Sequence, residues 1–136
     1  MATDLRHQTG RDGETLAAAF LAMRGARLLH RNWRSSLKGV RGEIDIIVQF
    51  GDTLCFVEVK TRADSFHGEP QEAVTPSKQR QICRLATAYV MEFELSEVTV
   101  RFDIVEVWLA PDKSSKPRVA WLENAFPFQE SRAARF

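Results

Sequence analysis

Gly42-Glu43-Ile44-Asp45-Ile46-Ile47-Val48-Gln49-Phe50, then Gly51-Asp52, then Thr53-Leu54-Cys55-Phe56-Val57-Glu58-Val59-Lys60-Thr61-Arg62, is the stretch whose reading decides this fold. Both long segments are rich in β-branched and aromatic residues and read as strands. A two-residue loop with Gly first suits a type II′ turn, which fixes the register of the hairpin. Phe50 then faces Thr53, Val48 faces Cys55, Asp45 faces Glu58 and Glu43 faces Lys60. Because side chains alternate along a strand, these four charged groups share one face. Opposed side chains have Cβ atoms roughly 4.5–5.5 Å apart, and two carboxylates so placed repel by about 3 kcal/mol at an effective dielectric near 20. Such a pair calls for a cation. Lys60 supplies one in part, and oxygen ligands converging from neighbouring strands suit a hard ion such as Mg²⁺ or Mn²⁺. An exposed strand face with cross-strand charge pairs accounts for the same spacing and is about as common.

Outward from the hairpin, the charge distribution is the next signal. The 136 residues carry a formal net charge of +1, which singles out no polyanionic partner. Yet no acidic residue occurs from Thr15 to Gly42, where Arg24, Arg27, Arg31, Arg34, Lys38 and Arg41 stand with His30 and Trp33 among them. That composition fits a surface that neutralises phosphates and offers a ring for stacking. An ordinary solvated basic face is the plainer alternative.

The length suits one domain spanning 1–136, with 1–12 and 129–136 expected to be loose at the ends. Asp12 caps an expected helix from Gly13 to Arg24 with Leu16, Phe20 and Met23 as its apolar stripe. Glu14 falls at the margin of that stripe, where it can look toward a sheet; a first-turn Glu complementing the helix dipole is the commoner role. Ala26 to Ser36 reads as the first strand, and Ser35 to Arg41 as a basic loop. An irregular connection over 63–70 follows the hairpin and carries His67, a minor candidate for substrate contact. Thr75-Pro76 starts a second helix that runs to about Glu94, with Ile82, Leu85, Ala86, Tyr89, Val90 and Phe93 facing the core. Lys78 lies in its first turn, where the dipole disfavours a cation. Val98 to Trp108 is the longest strand candidate and the expected central one, and Val119 to Glu123 an edge strand. Cys55 and Cys83 lack metal-ligand spacing, and Cys55 points away from Glu58, as a reduced core thiol would. With no signal peptide and no bilayer-length apolar run, the expected setting is the cytoplasm, with no membrane partner.

The order of elements, the acid on the first helix and the string Gly42-Glu43-Ile44-Asp45…Phe56-Val57-Glu58-Val59-Lys60-Thr61-Arg62 resemble the restriction-endonuclease-like PD-(D/E)xK superfamily. Gly10, Gly13-Glu14, Ala18, Asn32-Trp33-Arg34, Pro70-Gln71-Glu72-Ala73-Val74, Lys78 and Arg101-Phe102-Asp103 narrow the likeness to the YraN-like bacterial family, related to archaeal Holliday-junction resolvases. The resemblance implies an α/β fold in which a central mixed β-sheet is flanked by helices in the order αβββαβ. It implies that Asp45, Glu58 and the Val59 carbonyl bind Mg²⁺ or Mn²⁺, that Glu14 completes the site, and that Lys60 orients or activates the attacking water. Ile44 stands where the superfamily motif often has Pro. The function so implied is metal-dependent hydrolysis of DNA phosphodiesters, with branched or flap DNA as candidate substrates. Arg24, Arg27, Arg31, Arg34, Lys38, Arg41 and Lys78 would hold the nucleic acid. The alternatives are a nucleic-acid-binding module with this fold and little or no turnover, and a protein-interaction domain. Junction-cutting relatives act as symmetric dimers, so a homodimer is compatible, with Trp33, Phe66 and Trp121 as exposed aromatic candidates for its interface.

Overall fold

The computed structural model describes residues 2–62, 74–110 and 115–129, with side chains from residue 12 onward. Its elements are α1 (Ala2–Met23), β1 (Arg27–Trp33), β2 (Ile44–Phe50), β3 (Thr53–Arg62), α2 (Pro76–Glu92), β4 (Thr99–Trp108) and β5 (Arg118–Leu122). The strands form one mixed sheet in the order β1-β2-β3-β4-β5, antiparallel except for the parallel β3–β4 pair. The parallel step requires a crossover, and α2 lies within it. This is the α/β arrangement expected of a restriction-endonuclease-like domain, with β5 added at the edge. β3 takes the centre, and β4 lies one place from the edge.

The hairpin forms in the expected register, with Phe50 opposite Thr53 and Val48 opposite Cys55. Gly51 has φ +61°, as the first central residue of a type II′ turn demands. Alternation along the strands then builds two separate cores. Ile47, Leu54, Phe56, Phe102 and Ile104 pack with Ile82, Leu85, Ala86 and Tyr89 of α2. Ile46, Val48, Cys55, Val57, Val105 and Val107 pack with Ala17 and Leu21 of α1. Cys55 therefore lies on the face away from Glu58, and burial pushes its thiol up to about 11, the behaviour of an inert core group.

Several boundaries differ from expectation. α1 begins at Ala2, so Asp12 lies inside it rather than at its cap. The buried stripe of α1 is Gly13, Ala17 and Leu21, while Met23 is 87% exposed. At its Gly13 end the helix sits close on β3, where a Cβ built on Gly13 would overlap the Thr61 side chain, and the larger Leu21 is accommodated two turns further on. β1 is Arg27–Trp33, shorter than Ala26 to Ser36, with a register shift between Leu28 and His30 and a left-handed Asn32 at φ 52°. On α2 the Thr75 hydroxyl accepts from the Lys78 N–H at 3.2 Å, as a cap should, and Phe93 falls at the C-cap.

Neither described interface aromatic is free. Trp33 packs edge-on against Tyr89 at 5.1 Å between centroids, and Trp121 meets Phe50 edge-on at 5.5 Å while its indole donates to Asp103 at 2.9 Å. Phe66, His67 and the connection over 63–70 lie outside the described residues, as does the tail beyond Gln129. Among the described residues no helix is long and apolar enough to cross a membrane.

Because α1 is seated through the Gly13–Thr61 contact, Gly13→Ala is expected to destabilise the fold by about 1–3 kcal/mol. Thr61→Ala should recover part of that loss, as measured by urea unfolding.

Candidate metal and nucleic-acid site

The β2–β3 ladder runs from Phe50–Thr53 to Ile46–Val57. One step further out, the Val59 N–H is taken by a side chain: Asp45 Oδ2 accepts it at 2.8 Å. There the Asp45 and Glu58 carboxyls lie close enough that each shifts the titration of the other. Glu58 is only 7% exposed. Burial, then the charge of Glu58, lifts Asp45 from its ordinary 3.8 to about 7. Burial also raises Glu58, against the opposing pull of Lys78 and Lys60. Two acids set so close, one buried and one half-buried, favour a cation or a proton between them.

The structure brings most of the remaining candidates around this pair. Lys60 Nζ lies 3.8 Å from Glu58 Oε1. Lys78, in the first turn of α2, acts electrostatically on both acids. Glu14 of α1 is half-buried, and burial followed by the Asp45 charge raises its carboxyl. Its partners are the Asn32 side chain and Arg31, the latter at 3.8 Å. Glu43 does not face Lys60 as the extended register required. It precedes β2 and pairs with Arg34 Nε at 3.0 Å, because the chain leaves the ladder near Gly42, which has φ +92°.

The basic residues divide by position. Arg31 and Arg34 lie at the acid pair's end of β1, where Trp33 opposes Ile44, and both are already ion-paired. Lys38 and Arg41 are exposed on the loop from β1 to β2, which Gln81 ties to α2 by donating to the Arg41 carbonyl at 3.2 Å. Arg27 opposes Gln49 at the far end of the sheet, and Arg24 lies over the Phe20 ring at 4.6 Å. The structure thus separates Arg24 and Arg27 from the site. An antiparallel strand carries its two ends to opposite sides of the sheet, however close they are in sequence.

Asn32 was not singled out as a site residue by its type. Its left-handed backbone conformation, which Asn tolerates, goes with a side chain that favours the charged form of Glu14.

The family profile described as "Uncharacterised protein family UPF0102" matches residues 13–107. The chain belongs to UPF0102. This is the YraN-like family that its motifs resemble, and the matched region holds Glu14, Asp45, Glu58, Lys60 and Lys78. A UPF0102 protein of Chlorobium phaeobacteroides is 48% identical over 101 residues, covering 74% of this chain and 77% of its own. One from Geobacter sulfurreducens is 45% identical over 115 residues, 84% of each chain, and one from Symbiobacterium thermophilum is 43% identical over 122 residues, 90% of this chain and 98% of its own.

Among the described residues no three His, Cys, Asp or Glu side chains stand close enough to hold an ion by themselves. Two neighbouring carboxyls still fit Mg²⁺, which is commonly held by one or two carboxylates and keeps several waters.

The raised carboxyl makes a signed stability prediction. The folded chain holds the Asp45 proton across the window from 3.8 to about 7, where the unfolded chain has released it. Native stability should therefore fall as pH rises through that window. Metal-free Asp45→Asn is expected to melt above wild type at pH 8, with the gap closing toward the acid end. Equal melting at pH 8 would show that this group carries no such linkage.

Proposed function

We propose that this protein is a Mg²⁺- or Mn²⁺-dependent nuclease that hydrolyses DNA phosphodiester bonds. The observation that carries the reading is the close, electrostatically coupled pair of half-buried Asp45 and buried Glu58, with Lys60 Nζ 3.8 Å from Glu58. Asp45 and Glu58 would hold the ion, with the Val59 carbonyl and, through water, Glu14 as further ligands. When bound, the ion would lower the pKa of a water and offset charge on the phosphoryl oxygens.

The chain's own groups divide the rest of the work. Glu58 anchors the Lys60 ammonium at the pair, where it would orient the attacking water and counter charge gathering on the phosphorane-like transition state. The Val59 N–H fixes one oxygen of Asp45 and so its orientation. Lys78 approaches from the α2 side, while Arg31, Arg34, Lys38 and Arg41 would hold the phosphate backbone from the β1 side. Branched or flap DNA is the substrate structure to be tried first. Arg24 and Arg27 lie too far along the sheet to contact the same phosphates.

A second reading, a nucleic-acid-binding module with little turnover, has one observation in its favour. Arg31 and Arg34 are neutralised by Glu14 and Glu43, so part of the acidic cluster is spent on ion pairs. A single assay decides between the two. Wild type is expected to cleave flap, junction or single-stranded DNA with Mg²⁺ or Mn²⁺, and Asp45→Asn and Lys60→Ala should each lower the rate by about 10²-fold or more while remaining folded. Binding without cleavage, across both metals and all three substrates, would favour the module. Mn²⁺ should also raise the melting temperature of wild type but not of Asp45→Asn, since only native-state binding stabilises.

A further inference from the structure

β4 carries two buried acids three residues apart, and their surroundings differ. Asp103 is fully enclosed and fully satisfied: Arg101 donates to both its oxygens at 2.9 Å, Trp121 Nε1 donates at 2.9 Å and the Asn124 N–H at 2.9 Å. Every contact is internal, as for a group that holds β4, β5 and the following turn together. Glu106 has a side chain only 2% exposed, yet only one of its oxygens is engaged, by the Arg62 guanidinium. Its Oε2, the buried Trp108 Nε1 and the Arg62 Nε that faces it form no hydrogen bond, so the ion pair alone links Glu106 and Arg62, and the Arg62 side chain is itself 14% exposed. Leaving such atoms unpaired is costly, and a buried ion pair rarely gains stability over apolar residues of the same volume. Structure alone therefore explains Asp103 but not Glu106.

Position supplies the missing reason. In the parallel β3–β4 register Lys60 stands beside Glu106 and Arg62 beside Trp108. Alternation puts Glu58, Lys60 and Arg62 on one face of β3, and Glu106 and Trp108 on the same face of β4. Arg62 thus continues the line from the acid pair through Lys60, about 6.6 Å further along the strand at roughly 3.3 Å per residue. That is close to the spacing of successive phosphates along a nucleic-acid strand. A guanidinium held from behind by a carboxylate is fixed in direction, and its fork suits phosphate oxygens.

Resting on the nuclease reading above, we infer that Arg62 is a substrate-phosphate contact at this site and that Glu106 is the positioning residue that aims it. Arg62 grips the phosphate next to the one being cut, and Glu106 keeps the guanidinium from swinging away. The buried Glu106 Oε2 and Trp108 Nε1 lie behind the guanidinium, so the contact to substrate falls to the outward side of the Arg62 fork.

The test compares Arg62→Gln, Glu106→Gln and the double variant, measuring melting temperature, affinity for a labelled junction or flap DNA as a function of salt, and single-turnover cleavage. Each single variant leaves a charge unbalanced in the protein, whereas the neutral double variant restores the balance. A phosphate contact predicts that the double variant regains the wild-type melting temperature while its salt slope stays lower by about 0.7–0.9, the loss of one phosphate contact. Its cleavage should stay at least about tenfold down. Arg62→Lys, which keeps the charge without the fork, should retain the slope and lose part of the rate. If the double variant recovers affinity, slope and cleavage together, Arg62 is only a structural partner of Glu106 and the inference fails while the nuclease reading stands. A wild type that neither binds nor cuts these DNAs overturns both.

Discussion

Two neighbouring carboxyls, one buried and one half-buried, govern this end of the molecule. Asp45 and Glu58 cannot both be charged and unaccompanied there, and what surrounds them supplies compensation. Val59 donates its N–H to Asp45 at 2.8 Å, Lys60 stands 3.8 Å from Glu58, and Lys78 adds charge from α2. These contacts reduce the conflict without removing it, since burial still holds both acids above their ordinary values. A site whose electrostatics are incomplete without a cation or proton is suited to take one up.

The sheet makes that conflict affordable. Its two faces bury separate apolar clusters, one under α1 and one under α2, so the interior of β2 and β3 is apolar on both sides. Polar groups collect where the ladder ends, beyond Ile46–Val57 and at the outer ends of β3 and β4. There α1, seated on Thr61 through Gly13, brings Glu14 toward Asp45, while the loop before β2 is held to α2 by Gln81. Membership of UPF0102 places the same span, residues 13–107, in a family whose matched region contains every one of these acids and both lysines.

Much of the site was legible because its rules are local. A Gly-first two-residue loop fixes a hairpin register, parity then assigns faces, and Thr75-Pro76 announces a helix start. Those rules placed Asp45 against Glu58, Lys60 beside them, Cys55 on the far side and Lys78 in the first turn of α2. They failed where local pattern and packing disagree. Of the expected stripe Leu16, Phe20 and Met23, the first two flank the buried face and only Met23 is fully exposed; the fully buried line is Gly13, Ala17 and Leu21, with Gly13 set by close approach to Thr61. Glu43 left the expected register because the chain turns away at Gly42.

The sequence by itself determined the strands of the hairpin, their register and the type of chemistry gathered at its open end, because nearest-neighbour geometry and side-chain alternation decide these. Only the tertiary structure decided that β3 and β4 run parallel, setting Glu106 beside Lys60 and Arg62 beside Trp108, and that Arg24 and Arg27 lie at the opposite end of the sheet from the acids. Pairing between distant strands depends on how two helices bury two faces of one sheet at once. No window of the sequence contains that condition.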